Sequence, residues 1–147
     1  MKPKIVATVA GLALFCSVSP ALPSRDSDTP CRDEQSNRDI RECYTKEQVR
    51  VNSHADTLAK DIATDFRKQA EDAQLGKSVS DSLRKAASKV TSSQKVWRDY
   101  RDQHCAAVAD SWTTGSGAGT AYEKCLFQLG RARLLELRSS FNLPESK

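Results

Sequence analysis

The stretch SQKVWRDYRDQHC, residues 93–105, places carboxylates, guanidinium groups, aromatic rings, a histidine and a cysteine within a few turns of a helix. Asp99 and Asp102 are candidates for the paired carboxylates of a hydrolase. Lys95 and Arg98, however, precede these two acids by four residues each, which is the spacing of surface ion pairs on a helix. We therefore interpret both acids as part of a solvated helix face.

Nucleophilic catalysis requires a base close to a serine or a free cysteine, and the chain offers only His54 and His104. His104 precedes Cys105, but adjacent helical residues point about 100° apart. The glycine-rich stretch TTGSGAG, residues 113–119, lacks the GK[ST] ending of a phosphate-binding loop, so we interpret it as a flexible interhelical loop. The sequence thus predicts no catalytic residues, no cofactor and no enzymatic activity.

Two long amphipathic patterns indicate the elements that position these residues. From about Thr45, apolar residues recur at spacings of three and four, and Gly76 is placed to end the first helix. A second pattern extends from Val79 to Cys105, with Ser78 as a candidate N-cap. The short connection between the two patterns predicts an antiparallel helical hairpin.

A third helix is predicted from about Tyr122 to Phe141, after the glycine-rich stretch. No segment alternates apolar and polar residues over the length of a strand. The predicted fold class is therefore all-α, with an antiparallel helical hairpin, a third helix and disulfide staples.

The N-terminus has the features of a secretory signal peptide. Lys2 and Lys4 precede an apolar run over residues 5–18, which is shorter than the roughly 20 residues that span a bilayer. Small residues favour cleavage after Ala21. We expect a periplasmic or secreted protein without stable membrane insertion after cleavage, divided into a signal peptide (1–21), a polar N-terminal tail (22–35) and a helical domain (36–147).

The charge balance excludes one class of partner. The chain has 23 basic and 19 acidic residues, and removal of Lys2 and Lys4 with the signal peptide leaves 21 basic residues and a net charge of +2. A nucleic-acid-binding protein concentrates cations without matching acids. We therefore expect no nucleic-acid partner.

Four of the five cysteines remain after the signal peptide takes Cys16: Cys31, Cys43, Cys105 and Cys125. An even number in an exported chain predicts two disulfides, for which three connectivities are open. The hairpin gathers all four cysteines at one end and favours the local pairs 31–43 and 105–125, each contributing roughly 3 kcal/mol. No CxxC spacing supports a zinc site, so no metal is predicted.

The inner face of the second helix carries residues for structural contacts rather than chemistry. Trp97 and Arg101 lie one turn apart, and we expect a cation–π contact between them. Gln94 lies one turn before Trp97, and a buried amide there requires a hydrogen bond to backbone or to a neighbouring helix.

The sequence contains Gln94-x-x-Trp97-x-x-Tyr100-Arg101-Asp102-x-x-Cys105, followed by a Gly/Ser loop, Cys125, Arg133 and Glu136-Leu137. This pattern resembles the LprI-like lysozyme-inhibitor family of small exported bacterial proteins. The resemblance covers residues 31–138 and implies an all-helical, disulfide-bonded envelope protein that binds lysozyme. The sequence departs from the family pattern at Ala55, where a tyrosine is common, and at Gly130, where a threonine is common. The motif residues expected to be structural or to contact the partner are Gln94, Trp97, Tyr100, Arg101, Asp102 and Arg133, together with Cys105 and Cys125.

Two functions are consistent with this resemblance. The first is a periplasmic protein that blocks lysozyme or another peptidoglycan hydrolase by protein–protein contact. The alternative is an envelope adaptor or an immunity protein that binds another cell-wall protein.

Overall fold

The computed structural model describes residues 29–72, 74–113 and 115–144, and the expected signal peptide lies outside these ranges. The described residues form three α-helices and no strand, which confirms the all-α prediction. None of these three helices combines the length and the apolarity that crossing a membrane requires. The helices are α1 (Asn37–Gln69), α2 (Lys77–Asp110) and α3 (Ala118–Ser140).

Contacts at the two ends of the molecule establish how the helices are arranged. The Thr120 hydroxyl, at the start of α3, donates to Oδ1 of Asn37 at the start of α1, at 3.1 Å. At the other end, the Phe66 and Phe141 rings pack edge to face, with centroids 5.8 Å apart. Helix α3 therefore runs parallel to α1, and α2, which connects them, runs antiparallel to both.

Helix α1 begins earlier than the expected start near Thr45, because Ser36 caps it. The Asp39 backbone N–H donates to the Ser36 hydroxyl oxygen at 3.1 Å, and that hydroxyl donates to the Asp39 carboxylate at 2.6 Å. This reciprocal arrangement satisfies a free N–H of the first turn. The apolar spacing extends back to Ile40 through Tyr44 and Cys43, and only residues 37–39 of this first part are entirely polar.

The connections between the helices also differ from expectation. Helix α1 ends at Gln69, and Gly76 is instead the extended residue directly before α2, with φ −64° and ψ 150°. Ser78 therefore lies inside α2 and is not its N-cap. Helix α3 begins at Ala118 rather than near Tyr122, because the last glycine of the loop is accommodated in its first turn.

Three alanines contribute to the core near the α1–α2 turn. Ala59 and Ala63 of α1 pack against Ala87 of α2, together with Ile62, Val90 and Leu137. Larger side chains are also almost completely buried in the described part of the chain, among them Phe127 and Tyr44 at 2% and 4% exposed. Small side chains allow the helix backbones to approach closely, but they define the register between helices less strongly than large interlocking ones.

The opposite end is held by both disulfides that the spacing favoured. Cys31–Cys43 fastens the segment before α1 to its second turn, and Cys105–Cys125 joins the end of α2 to α3. Beside the first bond, the rings of Tyr44 and Phe127 pack 5.7 Å apart, and burial raises the pKa of the Tyr44 phenol.

At Gly130, α3 approaches α1 closely. A Cβ atom at this position would lie 2.5 Å from Oδ1 of Asn52 and 2.9 Å from Cγ2 of Val51. Neither neighbour moves freely, since Val51 is almost completely buried and the Asn52 amide donates to the Gln48 and Leu126 carbonyl oxygens at 2.7 and 3.3 Å. The absence of a side chain at Gly130 therefore sets the spacing between the two helices.

We expect Gly130→Ala to lower stability despite the better helix propensity of alanine. Propensity contributes about 1 kcal/mol in favour of alanine, whereas overpacking a rigid site costs about 1–3 kcal/mol. Thermal unfolding followed by circular dichroism measures the net effect, expected as a decrease in Tm of several degrees. Gly76→Ala is the control, because an added Cβ there has no neighbour within 4 Å. A Gly130→Ala protein as stable as the parent would contradict this close approach.

Candidate functional site

The buried amide of Gln94 connects all three helices. Its side chain is 5% exposed, and its Nε2 atom donates to Oδ1 of Asp56 on α1 at 2.9 Å. Its Oε1 atom accepts a hydrogen bond from Nε of Arg133 on α3 at 3.0 Å. This geometry confirms that Gln94 finds its partners on neighbouring helices, and it uses both ends of the amide.

The Arg133 guanidinium is itself fully engaged in this region. Arg133 is 8% exposed, and its Nη1 atom donates to Oε1 of Glu136 at 3.0 Å. Its Nη2 atom donates to the Ser93 hydroxyl oxygen at 3.3 Å. A buried cation requires this degree of pairing, because an unpaired charge in the interior is strongly destabilising.

Trp97 provides the apolar surface beneath two guanidinium groups. The Cζ atom of Arg101 lies 5.1 Å from the Trp97 ring centroid, and that of Arg133 lies 5.9 Å from it. The first distance confirms the expected cation–π contact. Arg101 also donates from Nε to Oδ1 of Asp102 at 2.8 Å, which fixes its orientation.

We refer to these residues as the Gln94 junction: Asp56, Ser93, Gln94, Trp97, Arg101, Arg133 and Glu136. Four of the six motif residues lie in it, and a fifth, Asp102, orients Arg101 from its edge. Glu136 is part of the pattern on which the family resemblance rests, whereas Asp56 and Ser93 were not identified from sequence. Asp56 could have been predicted, because it is an acid beside the apolar stripe of α1. An acid in that position usually requires a polar partner.

The ion pair expected between Arg98 and Asp102 is replaced by other pairs. Arg98 reaches across to Asp56 of α1, with Nη1 and Oδ2 separated by 3.7 Å, instead of pairing with Asp102. Asp102 is bound by its neighbour Arg101. The cause is the proximity of α1, which presents Asp56 close to both Gln94 and Arg98.

Tyr100, the sixth motif residue, lies outside the junction. It is 54% exposed, and its ring stacks on the exposed His104 ring, with centroids 5.5 Å apart and planes inclined by 29°. His104 thus neighbours an aromatic ring, while the adjacent Cys105 is oxidised. Within the described residues, no group of three or more His, Cys, Asp or Glu side chains is arranged to hold a metal ion.

Beyond His104, α2, the loop and α3 enclose an open groove of about 790 Å³, which we call the Trp112 groove. The described part of the loop is anchored, in contrast to the flexible loop expected from its glycines. Asn37 donates from Nδ2 to the Ser116 carbonyl oxygen at 3.1 Å. The principal lining residues are Asn37, His104, Val108, Trp112, Thr120 and Lys124.

The fold and these two sites define a small disulfide-bonded helical bundle with a structural polar centre and an exposed groove. The family model described as Lysozyme inhibitor LprI matches residues 31–137 of this chain. The chain therefore belongs to the LprI lysozyme inhibitor family, as its motif residues indicated. Comparisons with curated proteins and with solved structures gave no match.

We expect Gln94→Leu to destabilise the bundle by about 2 kcal/mol, because it deprives Asp56 and Arg133 of hydrogen bonds without leaving a large cavity. Urea unfolding monitored by tryptophan fluorescence measures this difference. Gln103→Leu makes the same change at an exposed position of α2 and is expected to alter stability by less than about 0.5 kcal/mol. Equal stability of the two variants would show that the junction is not a structural requirement.

Proposed function

We propose that this protein is an exported inhibitor that blocks a peptidoglycan hydrolase of the lysozyme type by protein–protein contact. The observation that carries the proposal is the family match over residues 31–137, which includes all three helices but for the end of α3. The family is one of lysozyme inhibitors, so its function implies a protein partner such as lysozyme.

The contacts of the candidate catalytic groups support binding rather than catalysis. Asp102 is bound to Arg101, Cys105 forms a disulfide with Cys125, and His104 stacks on Tyr100. These three groups therefore make separate contacts and do not form a nucleophile–base pair. A function that requires a stable surface, rather than a reactive pair, fits these contacts.

The proposed location is outside the cytoplasm. The family and the two disulfides indicate an extracytoplasmic protein, because disulfides persist in oxidising compartments. We further propose that residues 1–21 form a signal peptide, that cleavage follows Ala21, and that the mature protein is periplasmic or secreted.

Lysis of a cell-wall suspension tests the inhibitor proposal directly. The oxidised mature protein, residues 22–147, is titrated against c-type, g-type and i-type lysozymes. We expect a saturable decrease of the lysis rate with at least one class, because occlusion of the cleft removes active enzyme stoichiometrically. Reduction and alkylation of the four cysteines should weaken the inhibition, since both disulfides hold the end of the bundle that carries the Trp112 groove.

Circular dichroism of the same preparation controls for folding. Folded, oxidised protein that leaves all three lysozyme classes unaffected would refute the inhibitor proposal. A different envelope protein recovered as a stoichiometric complex would then favour the adaptor or immunity alternative.

A further inference from the structure

A row of exposed apolar and aromatic side chains runs along the second half of α2 and ends at Trp112, just after the helix. Val96, Tyr100 and Trp112 are 67%, 54% and 53% exposed. Exposed His104 and half-buried Val108 complete the row, in which each residue follows the previous one after four positions. Each step of four residues turns by about 40°, so the row winds around the helix. Tyr100 is connected to the groove by His104, on which its ring stacks and which lines the groove. Large exposed rings are characteristic of protein–protein contact sites, where tyrosine and tryptophan contribute most of the binding energy.

Trp112 occupies a specific position at the end of this row. Its ring lies directly over Gly117, so close that a Cβ atom at Gly117 would be 2.5 Å from the Trp112 Cζ3 atom. The ring is therefore supported from one side, while about half of the residue remains exposed. The glycine has a positional role here, since any larger residue would push the ring away from the loop.

The surroundings of the ring are held in place before any partner binds. Asn37 at the start of α1 donates to the Ser116 carbonyl oxygen, and Thr120 donates to Oδ1 of Asn37. The Cys105–Cys125 disulfide closes the base of the same connection. Ordering a loop on binding costs free energy, so a surface that is already ordered binds more tightly for the same contacts.

The charge of the groove favours one kind of partner. The residues that line it include the cation Lys124 and contain no Asp or Glu. Glycoside hydrolases carry two carboxyl groups that flank the scissile bond, so their clefts are acidic at the centre. A cation among aromatic groups on the inhibitor complements such a cleft.

The acidic start of α1 is a less suitable contact surface for a basic enzyme, because two of its acids, Glu42 and Glu47, are paired with cations of the same helix. Glu42 forms an ion pair with Lys46, with 3.0 Å between Oε1 and Nζ. Glu47 forms one with Arg50, with 2.9 Å between Oε2 and Nη2. These exposed pairs reduce the net field that the segment presents to a partner.

From these observations we infer that the Trp112 groove, together with Tyr100, is the surface that closes the substrate cleft of the hydrolase. Trp112 and Tyr100 are the apolar anchors, and Lys124 faces the carboxylates of the cleft. This inference rests on the proposed inhibitor function and specifies its contact residues.

Affinity measurements with single variants test the assignment. The titration uses the full mature protein and the lysozyme class that it inhibits. We expect Trp112→Ala to weaken binding about 30-fold or more, and Tyr100→Ala to weaken it about tenfold, as for anchor residues in other interfaces. Val49→Ala is the matched control, because Val49 is 54% exposed on α1 and lies outside the groove.

Charge reversal tests the electrostatic part separately. Lys124→Glu should decrease affinity strongly, and Lys124→Arg should retain most of it. Lys60→Glu makes the same charge change at an exposed position of α1 and should have little effect. Equal losses from Lys124→Glu and Lys60→Glu would attribute the effect to net charge and overturn the assignment of Lys124.

Gly117→Ala provides a test that removes no contact group. The added Cβ displaces the Trp112 ring from its support, so we expect weaker binding with the fold retained. Circular dichroism and the unfolding midpoint verify the fold of each variant.

A soluble oligomer of N-acetylglucosamine, which occupies the cleft, should compete with the protein for lysozyme.

The outcomes distinguish this inference from the function on which it rests. If the parent protein binds no lysozyme, both fail. If the parent inhibits while the Trp112, Tyr100 and Lys124 variants bind equally well, the inhibitor function stands and this surface is wrong. If sedimentation shows a parent dimer that Trp112→Ala dissociates, with affinity for lysozyme unchanged, the surface is instead an interface between two copies of the chain.

Discussion

The hydrogen bonds of the buried Gln94 amide determine how the three helices fit together. One end of the amide binds Asp56 of α1 and the other binds Arg133 of α3, so a single side chain on α2 fixes the register of both neighbours. The apolar core near the α1–α2 turn is rich in alanine, and small side chains tolerate sliding between helices. A shift of either helix would leave a buried charge or amide without a partner, which is far more costly than a small loss of packing.

The rest of the structure follows from this arrangement. Trp97 and Arg101 extend the junction along α2, and the two disulfides secure the end of the bundle where the Tyr44 and Phe127 rings pack together. Because one side of α2 is used for these contacts, the adjacent side remains available to solvent. Tyr100 lies on that available side, although it belongs to the same short motif as Trp97 and Arg101. The motif therefore combines residues that hold the fold with one that we assign to binding.

Several features could be predicted from the sequence because they depend on local spacing. The existence of three helices, the favoured disulfide pairs, the contact of Arg101 with Trp97 and the need of Gln94 for a partner all follow from periodicity and side-chain chemistry. The start of α1 at Ser36 was missed, because residues 37–39 are polar and the apolar spacing of Ile40, Cys43 and Tyr44 was not extended back from Thr45. The pairing of Arg98 with Asp56 and the fit of Gly130 against Asn52 depend on distances between separate helices, which one sequence does not reveal.

The chain contains only two tryptophans, so the structural junction and the proposed contact surface can each be followed through one indole ring. Trp97 lies in the structural junction and Trp112 lies in the proposed contact surface. Fluorine NMR of protein labelled with 5-fluorotryptophan, assigned with Trp97→Phe and Trp112→Phe variants, can follow both during titration with unlabelled lysozyme. A large saturable change of the Trp112 resonance with little change of the Trp97 resonance is the expected result. A change centred on Trp97, with Trp112 unaffected at saturation, would contradict the division between a structural junction and a binding groove.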